Sequence, residues 1–193
     1  MVRATPKIFI FLDRDGVINK DSSEYIKNRS EFHFLPRTLE AIKLLTQNDF
    51  SCIIISNQSM INRKISTLEN LMDMHIYMLS EIQSHGGHIQ DFFFCPHRPD
   101  EYCMCRKPKP GMIVKAASIH SIDISQSIMI GDSLKDIQCA INAGCRHAIL
   151  VRTGNGIKTE TVLADNALKA SFIANDLLDA TRWILNSFKI NVR

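Results

Sequence analysis

The sequence predicts a three-layer α/β/α fold, a parallel sheet with helices on both faces. Three observations predict it. Short, continuously apolar runs recur at residues 8–12 (IFIFL), 51–56 (SCIIIS) and 127–130 (SIMI), and each stops at a polar or acidic residue. A run that is apolar at every position suits a strand buried on both faces, as parallel strands are. Segments with helical spacing separate these runs, and strand–helix alternation is the pattern of a covered parallel sheet. The chain has 193 residues, 45% hydrophobic and 22% charged, which is enough for a full core in one domain spanning residues 1–193.

The first run leads the chain. Residues 8–12 end at Asp13, with a second carboxylate at Asp15 and then Gly16. Acids at i and i+2 on a strand end reach the crevice at the carboxyl edge of an open sheet, where ligands bind. Two such carboxylates repel unless a cation or proton compensates them, so the pair calls for a divalent metal. A solvated turn is the other reading of Asp and Gly together.

Residues 20–35 form a long polar connection, pinned by Tyr25, Phe32 and Phe34, and connections of that length are often functional. Pro36 suits the first turn of a helix that carries Leu39, Ile42 and Leu45 and ends near Asn48. The strand at 51–56 is followed by Asn57, Gln58 and Ser59. A long helix begins near Thr67, with Leu68, Leu71, Met72, His75, Met78, Leu79 and Ile82 as its apolar stripe and Gly86–Gly87 as its stop. His75 and the methionines on this stripe read as core. A short strand at 91–94 delivers a cysteine-rich loop. A helix at 112–121, the strand at 127–130 and a helix at 134–143 ending at Gly144 come next. Residues 148–151 read as a strand, 152–157 as a Gly-rich loop, 168–173 as an edge strand and 176–188 as a closing helix.

Composition excludes some functions. A net charge of +3 without a basic arm argues against a nucleic-acid partner. No apolar run approaches the ~18 residues of a membrane span, and residues 1–7 lack the apolar core of a signal peptide. A cytoplasmic, monomeric protein with a small-molecule substrate is expected. Cys52, Cys139 and Cys145 sit singly in apolar or helical settings and read as buried thiols.

The other three cysteines stand together with a histidine as Cys95-Pro-His97-x5-Cys103-x-Cys105. Three soft thiolates and one imidazole make a closed tetrahedral set for structural Zn²⁺. The loop carries little apolar material, and a metal would hold its shape. Free thiols beside a surface histidine are the alternative. An iron–sulfur site is disfavoured because no fourth cysteine is near.

The strand ends then fall into a series. Asp13 and Asp15 follow the first strand, Ser56 and Asn57 the second, and Asp132 with Asp136 the one at 127–130; Arg106-Lys107-Pro108 follows the cysteine loop. In a parallel sheet they share one edge. Acids for a metal, a hydroxyl and an ammonium are what phosphoryl transfer needs.

The four elements Asp13-x-Asp15-Gly16, Ser56-Asn57, Lys107 and Gly131-Asp132-x3-Asp136 resemble motifs I to IV of the haloacid dehalogenase superfamily of phosphatases, which have a Rossmann-like fold. The resemblance implies roles. Asp13 would be the nucleophile that takes the phosphoryl group, and Asp15 the general acid and base. Mg²⁺ would sit among Asp13, the backbone carbonyl of Asp15, and Asp132. Ser56 and Lys107 would hold the phosphoryl oxygens. Asp136 would orient Lys107 or a metal-bound water, against the alternative of an exposed helix acid.

The zinc loop with C-R-K-P-x-P-G-M, D-R-D-G-x-I-N before it and R-T-G after it, is similar to that of the heptose 1,7-bisphosphate phosphatases, which make a precursor of lipopolysaccharide core and other surface sugars. That resemblance places the substrate against Asp21, Glu24, Tyr25, Asn57, Gln58, Ser59 and Arg106, and the reaction at the 7-phosphate. Histidinol-phosphate phosphatases share the zinc loop and are the rival. A non-catalytic zinc-stabilised module is the rival from another class, but it would not need Asp13, Asp15 and Lys107 together. Two positions depart from the heptose pattern. Ser133 stands where many of those enzymes carry Lys, and Met60 where a Gly is usual. Only 42 residues, positions 14 to 55, separate Asp13 from Ser56, which leaves no room for a separate cap domain.

Overall fold

The computed structural model describes residues 7–165 and 168–188. Six strands form one parallel sheet in the order β3-β2-β1-β4-β5-β6. They are β1 (Phe9–Leu12), β2 (Ser51–Asn57), β3 (Ile89–Cys95), β4 (Ile128–Gly131), β5 (His147–Val151) and β6 (Phe172–Ala174). The helices are α1 (Thr38–Gln47), α2 (Leu68–Ser84), α3 (Gly111–His120), α4 (Leu134–Ala143), α5 (Gly156–Asp165) and α6 (Leu177–Ser187).

The apolar runs explain the layers. Along β1, Ile10 and Leu12 point to one face and Phe9 and Phe11 to the other, and all four are buried. The first face packs against α1, α2 and α6 through Ile42, Leu45, Leu71, Met78, Leu177 and Ile184. The second packs against α3, α4 and α5 through Ile113, Ile137 and Leu163. Each fully buried side chain of this size contributes about 1.5–3 kcal/mol, so the two-faced burial of β1 anchors the domain's centre.

β1 pairs with both β2 and β4, so the strand order reverses direction there. Such a switch point opens a crevice beyond the carboxyl ends of the two central strands. Among the described residues, only loop, a short 3₁₀ turn (Arg29–Glu31) and α1 lie between β1 and β2, so no cap domain covers the crevice from that side. The connection is held by aromatic packing: Phe32 lies edge-on to Phe34 and to Tyr77 of α2, with centroids 5.1 and 6.0 Å apart.

Several local expectations change. Pro36 lies outside α1; Arg37, in a left-handed conformation, precedes the first helical residue Thr38. The long helix starts where expected, with Thr67 capping the Asn70 N–H. Its buried stripe, however, is Leu71, Met74, His75, Met78 and Ile82, while Leu68 and Met72 are exposed. The seven expected positions span more than one helix face, and the sheet covers only the sector centred on His75. β3 is longer than residues 91–94, and β6 covers only the end of 168–173. The region after Val151 is not wholly loop: α5 begins at Gly156, hidden in the sequence because Gly156, Thr159 and Leu163 are its only buried residues.

Candidate active site

Asp13 is the first residue beyond β1, and its N–H still donates to Ile130 O of β4 at 3.0 Å. The chain then turns sharply: Arg14 O accepts the N–H groups of Ile18 and Asn19 at 2.8 and 3.1 Å. Gly16 makes the turn possible, with φ of +83° and no space for a side chain, since a Cβ there would meet Asp132 Oδ2 at 2.2 Å. Gly154 approaches the same oxygen from the loop after β5. The two glycines thus let two loops close on the carboxylate at the end of β4.

Lys107 is the hub. Its ammonium is 2% exposed and pairs with Asp13 Oδ1 at 2.9 Å and Asp136 Oδ1 at 2.6 Å, and also donates to Ile55 O at 3.0 Å. Burial works against its charge, but the two carboxylates outweigh burial and hold it above its usual range. Asn57 fixes the Lys107 backbone from both sides, accepting its N–H at 3.1 Å and donating to its carbonyl at 3.2 Å. Asp136 is fully buried, which removes the exposed-acid reading. Its Oδ2 accepts the N–H and hydroxyl of Ser133 at 3.0 and 2.6 Å, closing a capping box at the start of α4.

Asp15 is held differently. Its Oδ1 accepts from Arg14 Nε at 3.0 Å and Asn19 Nδ2 at 2.8 Å, and its Oδ2 from Arg14 Nη2 at 2.9 Å and Gln58 Nε2 at 2.8 Å. Burial alone would raise its pKa; Arg14, Asn19 and Gln58 more than reverse that and lower it. Gln58 Nε2 also reaches Ser56 Oγ at 2.8 Å, tying the serine to the same network. Arg14 is fully buried and stands outside the residues to which the motif resemblance assigns a role. The available signal was a guanidinium between two acids at the end of an apolar strand, which must pair locally.

Asp13 and Asp132 carry the opposite signature. Burial, then the charges of neighbouring carboxylates, push Asp13 well above its usual value, with Lys107 working the other way. Asp132 rises from 3.8 to about 7, by burial first and then by Asp136, although Asn155 N donates to its Oδ2 at 2.7 Å. Four acids, Asp13, Asp15, Asp132 and Asp136, face only the two buried cations Lys107 and Arg14. The surplus negative charge fits a divalent cation. Oxygens of Asp13, Asp132 and Asp136 lie within 4.8 Å of one another, a donor set suited to a hard ion, though Lys107 and Ser133 already occupy Asp136.

A second cluster lies at the end of β3. Ligand atoms of Cys95, His97, Cys103 and Cys105 fall within 4.8 Å of one another. The Cys105 sulfur is 3.2 Å from that of Cys95 and 3.5 Å from that of Cys103, and His97 Nδ1 is 3.3 Å from Cys105 Sγ. A metal with sulfur bonds of about 2.3 Å sets tetrahedral edges of about 3.8 Å, close to this spacing. Arg106 and Lys107 leave directly from the last cysteine, and Arg106 Nη1 donates back to His97 O at 3.0 Å. The cluster thereby fixes the point from which Lys107 enters the crevice.

A pocket opens at the crevice. Its walls include Asp13, Asp15, Ser56, Lys107 and Asp132, together with Asp21, Tyr25, Asn57, Gln58, Ser59 and Arg106. Glu24 is exposed and lies outside the lining. Ser22, Ile26, Ser133, Lys135 and Asn155 line it as well, and of these only Ser133 is singled out by the sequence motifs. Asn155 reaches across: its side chain donates to Asp21 Oδ2 at 2.8 Å while its backbone holds Asp132. Met60 is fully buried in the core, away from this lining.

Comparison with known proteins agrees with this arrangement. A family model described as HAD-hydrolase-like matches residues 104–180. The D-glycero-beta-D-manno-heptose-1,7-bisphosphate 7-phosphatase of Bordetella bronchiseptica is 43% identical over 150 residues, 78% of this chain and 83% of that protein. The enzyme of that name from Neisseria meningitidis serogroup A is 38% identical over 176 residues, 91% of this chain and 94% of its own. The crystal structure of the D,D-heptose 1,7-bisphosphate phosphatase from B. bronchiseptica, complexed with magnesium and phosphate, superposes with a TM-score of 0.87 at 39% identity, covering 93% of this chain and 99% of that one. With the parallel sheet, the strand-end acids and the buried lysine, these matches show that the chain belongs to the heptose-1,7-bisphosphate 7-phosphatase family of HAD-like hydrolases.

Proposed function

We propose that this protein is a Mg²⁺-dependent phosphatase that removes the 7-phosphate of D-glycero-β-D-manno-heptose 1,7-bisphosphate, in the cytoplasm, with the whole chain as one catalytic domain and the monomer as the working unit. One observation carries the reading. A single sheet edge brings together a carboxylate at the end of the central strand (Asp13), a separately held carboxylate (Asp15) and a buried ammonium (Lys107), in a chain whose relatives of that name cover nearly all of it.

The residues divide the work. Arg14 N donates to Asp13 Oδ1 at 2.7 Å and Lys107 pairs with the same oxygen, leaving Oδ2 to attack phosphorus. The bond to the sugar oxygen breaks as the phosphoryl group passes to Asp13, and a covalent aspartyl-phosphate splits one hard displacement into two easier ones. Asp15 gives its proton to the departing alkoxide and later takes one from the attacking water. The clamp of Arg14, Asn19 and Gln58 favours the carboxylate, which is the form that activates water. The acid form is reached as the phosphoryl dianion enters beside it, because added negative charge raises a neighbouring carboxyl's proton affinity. The Ser56 hydroxyl and Lys107 hold the phosphoryl oxygens, with Lys107 kept in line by Asp136. Asp13, Asp132 and the Asp15 carbonyl would hold Mg²⁺, which when bound neutralises charge on the phosphoryl oxygens. Cys95, His97, Cys103 and Cys105 would hold Zn²⁺ with no position open, a structural role.

The test compares kcat/KM for heptose 1,7-bisphosphate, histidinol phosphate and a generic aryl phosphate, each with and without Mg²⁺. The bisphosphate should lead by at least tenfold, and only with Mg²⁺. A lead for histidinol phosphate would move the assignment to that substrate. Radiolabelled phosphate trapped on the wild type and absent from Asp13→Asn would support the nucleophile, and full activity in that variant would sink the mechanism.

A further inference from the structure

Three cationic side chains line the pocket: Arg106, Lys107 and Lys135. Lys107 is spent at the reacting end, paired with Asp13 and Asp136. Arg106 is already tied on one side to the zinc-loop carbonyl of His97. Lys135 alone is exposed, and among the described residues it forms no hydrogen bond or ion pair. Its position adds a second point. It is the second residue of α4, after the cap Ser133 and Leu134. A cation in the first turn opposes the helix dipole, so local helix physics disfavours a lysine there. The neighbouring Ser133 cannot supply a contact of its own, because its hydroxyl is committed to Asp136.

The proposed substrate carries a phosphate at each end, and only one reaches Asp13. The other is a dianion that must lie farther out in the same pocket, where the negative wall of Asp15, Asp21 and Asp132 repels it. It needs a cation that is free of carboxylates and able to reach. A lysine's flexible four-carbon stem meets that need. We propose that Lys135 binds the phosphate that is not cleaved, and so sets the preference for a sugar bisphosphate over the corresponding monophosphate; this rests on the bisphosphatase reading above.

The experiment measures kcat/KM on heptose 1,7-bisphosphate and on heptose 7-phosphate, for wild type, Lys135→Met and Lys135→Arg. Wild type should prefer the bisphosphate. In Lys135→Met the bisphosphate-to-monophosphate ratio should fall about tenfold or more, mainly through KM on the bisphosphate, as loss of one charge-assisted contact to a bound phosphate implies. Lys135→Arg should restore most of the ratio, which a purely structural effect would not. A Lys135→Met ratio equal to wild type overturns this assignment while leaving the bisphosphatase reading intact. Wild-type enzyme that turns over neither sugar overturns both.

Discussion

The metal-free protein should be measurably destabilised by its own active site above neutral pH, and Mg²⁺ should remove that cost. Asp132 sets the scale of the effect. Its carboxyl is pushed up from 3.8 to about 7, by burial and by Asp136. A carboxyl whose folded pKa is raised binds its proton more tightly folded than unfolded. Stability from this group therefore falls as pH rises through the interval between the two values. Roughly three units at about 1.36 kcal/mol each give about 4 kcal/mol, fully felt at about pH 8 and about half relieved at about pH 5.5. Asp13 is raised as well and acts in the same direction. His75 acts the other way. Burial lowers it from 6.5 to about 3, so its stability is present above 6.5 and is lost as pH falls below that. At about pH 5.5 that loss is about 1.4 kcal/mol, enough to mask much of the Asp132 effect in a plain pH curve. The difference with and without Mg²⁺ largely cancels the His75 contribution, because neither ring nitrogen of His75 hydrogen-bonds to a candidate metal ligand. Scanning calorimetry in Mg²⁺-free buffer and in saturating Mg²⁺ should therefore show a larger Mg²⁺-induced rise in Tm at about pH 8 than at about pH 5.5. From Asp132 alone the excess should be about 2 kcal/mol, or about 4–8 °C for a domain of this size. An equal or smaller rise at the higher pH would refute the argument.

Three further outcomes follow from other parts of the site. Lys107→Met removes one partner of a buried cluster and leaves Asp13 and Asp136 facing each other; it should cost about 3–5 kcal/mol by chemical denaturation and lose turnover together with phosphate affinity. Gly154→Ala places a Cβ 2.1 Å from Asp132 Oδ2 at a φ of +56°, so the Mg²⁺ concentration for half-maximal rate should rise about tenfold; an unchanged Mg²⁺ requirement would show that this loop does not position Asp132. Cys103→Ser should lower bound zinc and Tm together, whereas brief mild chelation of the wild type should abolish activity that added Mg²⁺ restores. Retention of a full zinc equivalent in that variant, or rescue of the chelated enzyme by Zn²⁺ and not by Mg²⁺, would reverse the roles given to the two metals.

The parts of this molecule that could be read from sequence are those whose chemistry is local. β1 was legible because burial on both faces demands an unbroken apolar run, and Ile10 and Leu12 against Phe9 and Phe11 are that demand met. The cysteine loop was legible because three thiols and one imidazole stand within eleven residues, close enough in sequence for their ligand atoms to gather within 4.8 Å. What stayed hidden depends on approach between distant positions. Asn155 matters because it spans 134 positions to Asp21 and 23 to Asp132, and nothing in the sequence around it marks either partner. Lys135 looks like a surface lysine until α4 is placed at the rim of the pocket. Arg14 lies between the two. The sequence sets it between two acids, but only the turn that buries it makes Asp15 its necessary partner, since a buried guanidinium left unpaired costs several kcal/mol. That necessity accounts for the contrast at the heart of the site. Asp13 and Asp15 are two residues apart at the end of one strand, yet Lys107 and its acids leave Asp13 short of positive charge while Arg14, Asn19 and Gln58 saturate Asp15. One turn of backbone thereby gives two identical side chains the different electrostatics that their proposed roles, nucleophile beside a metal and acid–base, require.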